Sequence, residues 1–104
     1  TADFIEYVCD QIESGWNISY KKLFGEYMVY VNEKPLLLVC DNTVFVKQLE
    51  CVAPLLEPSS KGFPYKGAKE HYVIDPDDRE LLNSVIRELE KVIPVPIKKR
   101  KKNG

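Results

Sequence analysis

The chain has 104 residues and a mass of 12.0 kDa, the size of a single domain. Hydrophobic residues make up 44% and charged residues 30%, which is typical of a globular protein. Length and composition therefore exclude a two-domain enzyme and a protein with a membrane span of ~20 apolar residues. The three cysteines contain no Cys-x-x-Cys pair, which favours free thiols in a reducing cytoplasm. We predict a cytoplasmic protein without a metal or other cofactor.

The net charge of -1 conceals an uneven distribution. Residues 1–97 carry 10 basic and 16 acidic side chains, a net charge of -6, and the remaining five basic residues follow in one run: Lys98, Lys99, Arg100, Lys101 and Lys102. We predict a domain over residues 1–97 and a basic, disordered tail over 98–104. Because an acidic body repels phosphate backbones, any contact with nucleic acid has to come through this tail.

Removal of the tail after Ile97 is the test of such binding. Five cations neutralise at most about five phosphates, which predicts weak, non-specific and strongly salt-dependent affinity. We expect the truncated chain to lose this affinity in a fluorescence anisotropy titration with duplex DNA at low salt. An unchanged dissociation constant would exclude the tail as its source.

The first predicted element is a helix. Asp3 is a candidate N-cap, with Glu6 three residues later. Apolar residues then follow at helical spacing: Phe4, Ile5, Val8, Cys9 and Ile12. Gly15 is placed to end the helix in the left-handed conformation.

From Ile18 the hydrophobic period changes to two, which predicts strands. The four segments are 18–23, 26–31, 36–40 and 43–47, separated by Phe24-Gly25, the turn residues 32–35, and Asp41-Asn42. Four short strands in 30 residues leave no room for crossover helices, so the sequence predicts an antiparallel meander.

The second half of the chain contains one more predicted strand and one long helix. Residues 48–57 are ambiguous, since Pro54 and Pro58 limit a helix there. Residues 59–70 form a predicted loop, and we expect Phe63, Pro64 and Tyr65 to hold it to the body.

Residues 71–74 form the fifth strand. A final helix then begins with Asp75 as its cap and Pro76 at the first helical position, and ends before Pro94. The predicted fold is α+β, a sheet of about five strands flanked by N-terminal and C-terminal helices.

Large apolar side chains point to both sides of this predicted sheet. Tyr27, Val29 and Val31 alternate with Met28 and Tyr30, so two helices can cover only one of the two sides. We predict that the other side is an association surface formed by Met28, Tyr30, Leu37, Val39 and Phe45. Its occupant is the middle segment of the chain, a different protein or, most simply, a second copy in a twofold homodimer.

Catalytic motifs are missing from the sequence. It has no Gly-x-Gly-x-x-Gly, phosphate loop or Gly-x-Ser-x-Gly. The alternative, an enzyme or small-ligand site, depends on His71 with Glu70, Tyr72 and Asp75 beside it. A single histidine at the start of a strand is more often structural, so we predict no enzymatic activity and no small-molecule substrate.

The segment Leu23-Phe24-Gly25-Glu26-Tyr27-Met28-Val29-Tyr30, with the two strands after it, resembles the N-terminal domain family of TfoX, the bacterial competence regulator also called Sxy. The likeness extends through Phe63-Pro64-Tyr65 and His71-Tyr72-Val73 to the ending Pro94-Val95-Pro96-Ile97-Lys98-Lys99. It therefore covers nearly the whole chain, and we expect a single-domain member of the family that lacks the C-terminal domain.

The resemblance implies a two-layer α+β domain of the secretion-chaperone-like kind. It also implies a non-catalytic role in the regulation of transcription, exerted through partner proteins.

Overall fold

The computed structural model describes residues 2–23 and 25–96. The elements in chain order are α1 Ala2–Gln11, β1 Ile18–Leu23, β2 Glu26–Val31, β3 Lys34–Cys40, β4 Thr43–Val46, α2 Ala53–Leu56, β5 Lys61–Gly62, β6 His71–Ile74 and α3 Arg79–Val92. The predicted domain boundary at residue 97 and the basic residues 98–102 lie outside the described residues.

The six strands form one open antiparallel sheet in the order β1-β2-β3-β4-β6-β5. The prediction of an α+β fold with N-terminal and C-terminal helices is confirmed. The sequence prediction missed β5, which lies inside the expected loop. This strand has only two residues, and it is held by pairing with β6 and by a hydrogen bond from the Val73 amide to the Ser60 carbonyl at 2.8 Å.

Two-residue turns connect β2 to β3 and β3 to β4. Asn32 and Glu33 have φ of 53° and 68°, and Asp41 and Asn42 have φ of 52° and 55°. Both central residues of a tight hairpin turn need positive φ, which Asn and Asp tolerate better than most residues. The turn predicted at Asp41-Asn42 is confirmed, whereas the turn predicted over 32–35 is shorter than expected, because Lys34 and Pro35 lie in β3. Glu33 is the least suited residue among the four.

Replacement of Glu33 by glycine is expected to stabilise the protein. Glycine relieves the steric cost of the left-handed conformation, and its larger unfolded-state entropy offsets part of the gain, which leaves about 0.5–1 kcal/mol. The change is measured by urea denaturation. Glu33→Ala removes the same side chain without relieving the backbone, so an equal gain for both variants would contradict this explanation.

The helices α1 and α3 cover one side of the sheet. Their buried residues form one cluster with buried strand residues: Ile5, Val8, Ile12, Leu82, Val85, Ile86 and Leu89 from the helical segments, and Val29, Val31, Leu37, Val39, Val44, Val46, Tyr72 and Ile74 from the sheet. α2 adds Leu56 to this cluster. We call this side of the sheet the core face.

One polar side chain is buried where α1 meets α3. Asn83 is 8% exposed. Its Oδ1 accepts a hydrogen bond from the Glu13 amide at 2.8 Å, and its Nδ2 donates to the carbonyls of Gln11 at 3.0 Å and Arg79 at 2.8 Å. The side chain thus satisfies backbone groups at the end of α1 and two residues beyond it, which α1 itself leaves without partners.

Both predicted helix caps were wrong in position. α1 begins at Ala2, so Asp3 lies in its first turn. The N-cap of α3 is Asp78, whose side chain accepts from the Leu81 amide at 3.2 Å. Asp75 instead accepts from the Asp77 amide at 2.9 Å and forms the turn before the helix. Asp75, Asp77 and Asp78 are all suitable N-cap residues. The turn formed by Asp75 places the start of α3 after Asp78, so Asp78 is the one that caps the helix.

Candidate functional site

An apolar row crosses the side of the sheet opposite the core face. The register pairs Met28 with Leu38, Leu38 with Phe45, and Phe45 with Val73, so one apolar side chain comes from each of β2, β3, β4 and β6. Tyr30 lies on the same side as Met28, two residues along β2. We call Met28, Tyr30, Leu38, Phe45 and Val73 the second face.

Leu37 and Val39 were wrongly predicted to belong to this surface. They are 1% and 2% exposed and lie in the core cluster. The register explains the error, because Leu37 pairs with Val29 and Val39 pairs with Tyr27. Directly paired residues point to the same side of a sheet, so Leu38 takes the place that the prediction gave to its two neighbours.

The middle segment of the chain covers one end of the second face. Phe45 is 7% exposed. The His71 ring stands edge-on to it with the ring centroids 6.3 Å apart, and Gly62 lies so close that a Cβ there would be 3.5 Å from the Phe45 ring. Met28, Tyr30 and Leu38 are only partly buried. The described residues provide no helix over them, so the chain shields this surface only in part.

In the loop after β5 the proline is buried and the two aromatic residues are largely exposed. Pro64 is buried, whereas Phe63 is 63% exposed and Tyr65 is 50% exposed. The expectation that both aromatic rings hold the loop to the body was therefore wrong. A large part of each ring therefore remains exposed to solvent.

A groove of about 830 Å³ continues from the second face around the end of the sheet where β3 begins and β4 ends. Its apolar lining includes Met28, Leu36, Leu38, Phe45, Tyr65, Leu89 and Ile93. Charged and polar groups from Lys47, Lys69, Glu70 and His71 also line it. An apolar floor with a mixed polar border is the arrangement found at many protein interfaces.

The residues considered for catalysis do not converge on one site. The His71 Nδ1 donates to the Lys69 carbonyl at 2.8 Å, and Glu70 accepts from Gln48 at 3.3 Å. Tyr72 points to the core face, where its hydroxyl donates to Glu57 at 2.6 Å. Consecutive strand residues point to opposite sides, so His71 and Tyr72 are separated by the sheet.

Across residues 2–23 and 25–96, no group of three or more His, Cys, Asp or Glu side chains is arranged to hold a metal ion. No helix in those ranges is long and apolar enough to cross a membrane.

A second, smaller groove of about 630 Å³ lies between α1 and β1. We call it the α1–β1 groove. It is lined by Glu6, Cys9, Asp10, Ile18, Ser19 and Tyr20. Burial, followed by the nearby carboxylates of Asp10 and Glu6, raises the pKa of the Cys9 thiol from 9.0 to about 11. The groove is therefore acidic and contains a thiol that resists ionisation.

Cys9 is expected to react slowly with alkylating agents in the folded protein. The thiolate is the reactive form, and a rise in pKa from 9.0 to about 11 lowers its fraction at pH 8 about 100-fold. Iodoacetamide labelling of Cys9, followed by mass spectrometry of its peptide, should therefore be about 100-fold slower in buffer than in concentrated urea. Equal rates in the two solvents would contradict the raised pKa.

Comparison with known proteins gave one relative over nearly the full chain. The chain is 29% identical over 97 residues to the "uncharacterized 12.7 kDa protein in trpE 5′ region" of Spirochaeta aurantia. The aligned region covers 91% of this chain and 84% of the relative. That name states no activity, ligand or partner. No protein-family model and no solved structure matches the chain.

Proposed function

We propose that the chain is a non-catalytic protein-interaction domain that binds a partner protein through the second face. The observation that carries this proposal is the apolar row Met28–Leu38–Phe45–Val73, which the middle segment of the chain covers at Phe45 but which is only partly shielded at Met28 and Leu38. A solvated sheet surface normally carries polar residues at such positions.

Burial of this surface would contribute favourably to the free energy of binding. At roughly 25 cal/mol per Å², a few hundred Å² of apolar surface contributes several kcal/mol before the entropic costs of association. The adjoining groove and the exposed rings of Phe63 and Tyr65 enlarge the apolar area available to a partner. The occupant that we propose is a different protein, which would shield Met28.

The biological role that we propose is accessory regulation of transcription in the cytoplasm of a bacterium. Its support is the resemblance to the TfoX N-terminal domain, which covers the strand–glycine–strand segment around Gly25 and the order of the later elements. The α+β fold and the antiparallel sheet agree with that resemblance.

The experiment combines recovery of partners with a measurement of gene expression. The full chain, tagged at its N-terminus, is used to recover proteins from a lysate of its source cells, and the transcriptome of a deletion strain is compared with that of its parent. We expect a specifically bound protein and a defined set of altered transcripts. No bound protein together with an unchanged transcriptome would contradict the proposal.

A further inference from the structure

The strand β1 is a free edge of the sheet. It pairs only with β2 within the described residues, and its burial pattern is one half-buried residue followed by five exposed ones. With six residues and no proline, it is much longer than the two-residue strand β5 at the opposite edge. An exposed edge of this length is able to pair with another strand, and lysines on an edge strand usually discourage this, so a partner of β1 must accommodate Lys21 and Lys22.

The hydrogen-bonding pattern shows which groups of β1 remain available. Leu23 and Glu26 close the β1–β2 hairpin, and the Asn32 amide donates to the Asn17 carbonyl at 2.7 Å. In an antiparallel pair, every second residue of a strand directs its amide and carbonyl toward the neighbouring strand. Between the two pairs just named, Ser19 and Lys21 are the residues whose backbone groups face β2. The amides and carbonyls of Ile18, Tyr20 and Lys22 therefore point away from the sheet.

We propose that a second copy of this chain pairs with β1 in antiparallel fashion, centred on Tyr20, to join two sheets into one of twelve strands. In this register Tyr20 lies opposite its own copy, Lys22 opposite Ile18, and Lys21 opposite Ser19. All three outward-facing residues form ladder hydrogen bonds, and no lysine lies opposite a lysine. A dyad centred on Lys21 would place like charges directly across from each other, which is unfavourable.

Charge complementarity selects the same register. Lys22 pairs with Tyr27, and Tyr27 pairs with the buried Val39, so the Lys22 side chain lies on the core face of the sheet. Across the dyad it lies beside Ile18 of the other copy, which lines the α1–β1 groove together with Glu6 and Asp10. In the dimer, the Lys22 ammonium group of each copy therefore lies beside the acidic α1–β1 groove of the other copy.

Apolar surface is also concentrated at this edge. Tyr7 of α1 is 39% exposed, and Tyr20 and Leu23 of β1 are each 38% exposed. Tyr20 is already held edge-on against Tyr27, with 5.8 Å between the ring centroids. At the proposed twofold axis, the exposed side of the Tyr20 ring would be buried against the Tyr20 ring of the second copy. This dimer uses a different surface from the second face, so it goes beyond the proposed function and leaves that face open.

Two adjacent lysines provide the test. Sedimentation of the full chain at about 100 µM should give a species of twice 12.0 kDa. Lys22→Glu places a carboxylate beside Glu6 and Asp10 and should weaken self-association at least about tenfold. Lys21→Glu makes the same charge change on the other side of the strand and should leave the dimer intact.

Exchange of the charges completes the test. The triple variant Lys22→Glu, Glu6→Lys, Asp10→Lys restores the attraction with reversed signs and should recover the dimer. A wild-type mass of 12.0 kDa at every concentration would overturn the proposal, as would equal effects of Lys21→Glu and Lys22→Glu. A dimer that responds to substitution of Met28 but not of Lys22 would also overturn it, and would place self-association on the second face.

Discussion

Substitution of Met28 by glutamate is expected to abolish recovery of the partner protein while the domain stays folded. Met28 lies in the apolar row between Lys21 of β1 and Leu38 of β3. A carboxylate at this position would lose its hydration under an apolar partner, which we expect to weaken binding at least about tenfold. In the free domain the same carboxylate lies directly across from Lys21, so the cost to the free energy of unfolding should be only about 1 kcal/mol.

The matched control for this variant is Val92→Glu. Val92 is 54% exposed at the end of α3, away from the second face. A carboxylate there costs about 0.5 kcal/mol through the helix dipole, so both variants have similar stability and identical charge. We expect the proteins recovered from lysate by the wild type to be recovered by Val92→Glu and lost with Met28→Glu. Equal recovery by the two variants would contradict docking at the second face.

Substitution of Asn83 by alanine is expected to destabilise the fold by about 3 kcal/mol. The change leaves the part-buried Glu13 amide and Gln11 carbonyl without their partner, and a group of this kind costs about 1–3 kcal/mol when it is fully buried and unsatisfied. The Arg79 carbonyl keeps its place in the helical ladder and adds little. Urea denaturation measures the loss.

Ser84→Ala is the control for Asn83→Ala. Ser84 lies next to Asn83 on α3, and its hydroxyl accepts an exposed hydrogen bond from Arg87 at 3.2 Å. We expect a change of less than about 0.5 kcal/mol for this variant. If Asn83→Ala costs no more than Ser84→Ala, the buried amide is not what joins α1 to α3.

The sequence predicted those elements whose conformation depends on residues close together in the chain. The turns at Asn32 and Asp41 were predictable because few residues tolerate positive φ, and the last helix was predictable from its apolar spacing. The strand β5 was not, because a two-residue strand has no period. It exists through its pairing with residues about ten positions later.

The candidate surface was predictable in kind but not residue by residue. Alternation within β3 assigns Leu37 and Val39 to one side and Leu38 to the other, but it does not say which side faces the helices. That choice depends on the pairing of Leu37 with Val29, a property of the register between two strands. Asn83 was missed for a similar reason, because its partners Gln11 and Glu13 are about 70 positions away.

The single methionine of the chain provides a direct test of the second face. Met28 lies in the middle of the proposed docking surface and is partly exposed in the free domain. Its rate of oxidation by hydrogen peroxide, measured by mass spectrometry of the Met28 peptide, reports whether that surface is covered. We predict that oxidation is at least about tenfold slower in the complex recovered from lysate than in the dilute, isolated chain. Equal rates in the two samples would show that the bound protein leaves the second face uncovered, and would contradict the account.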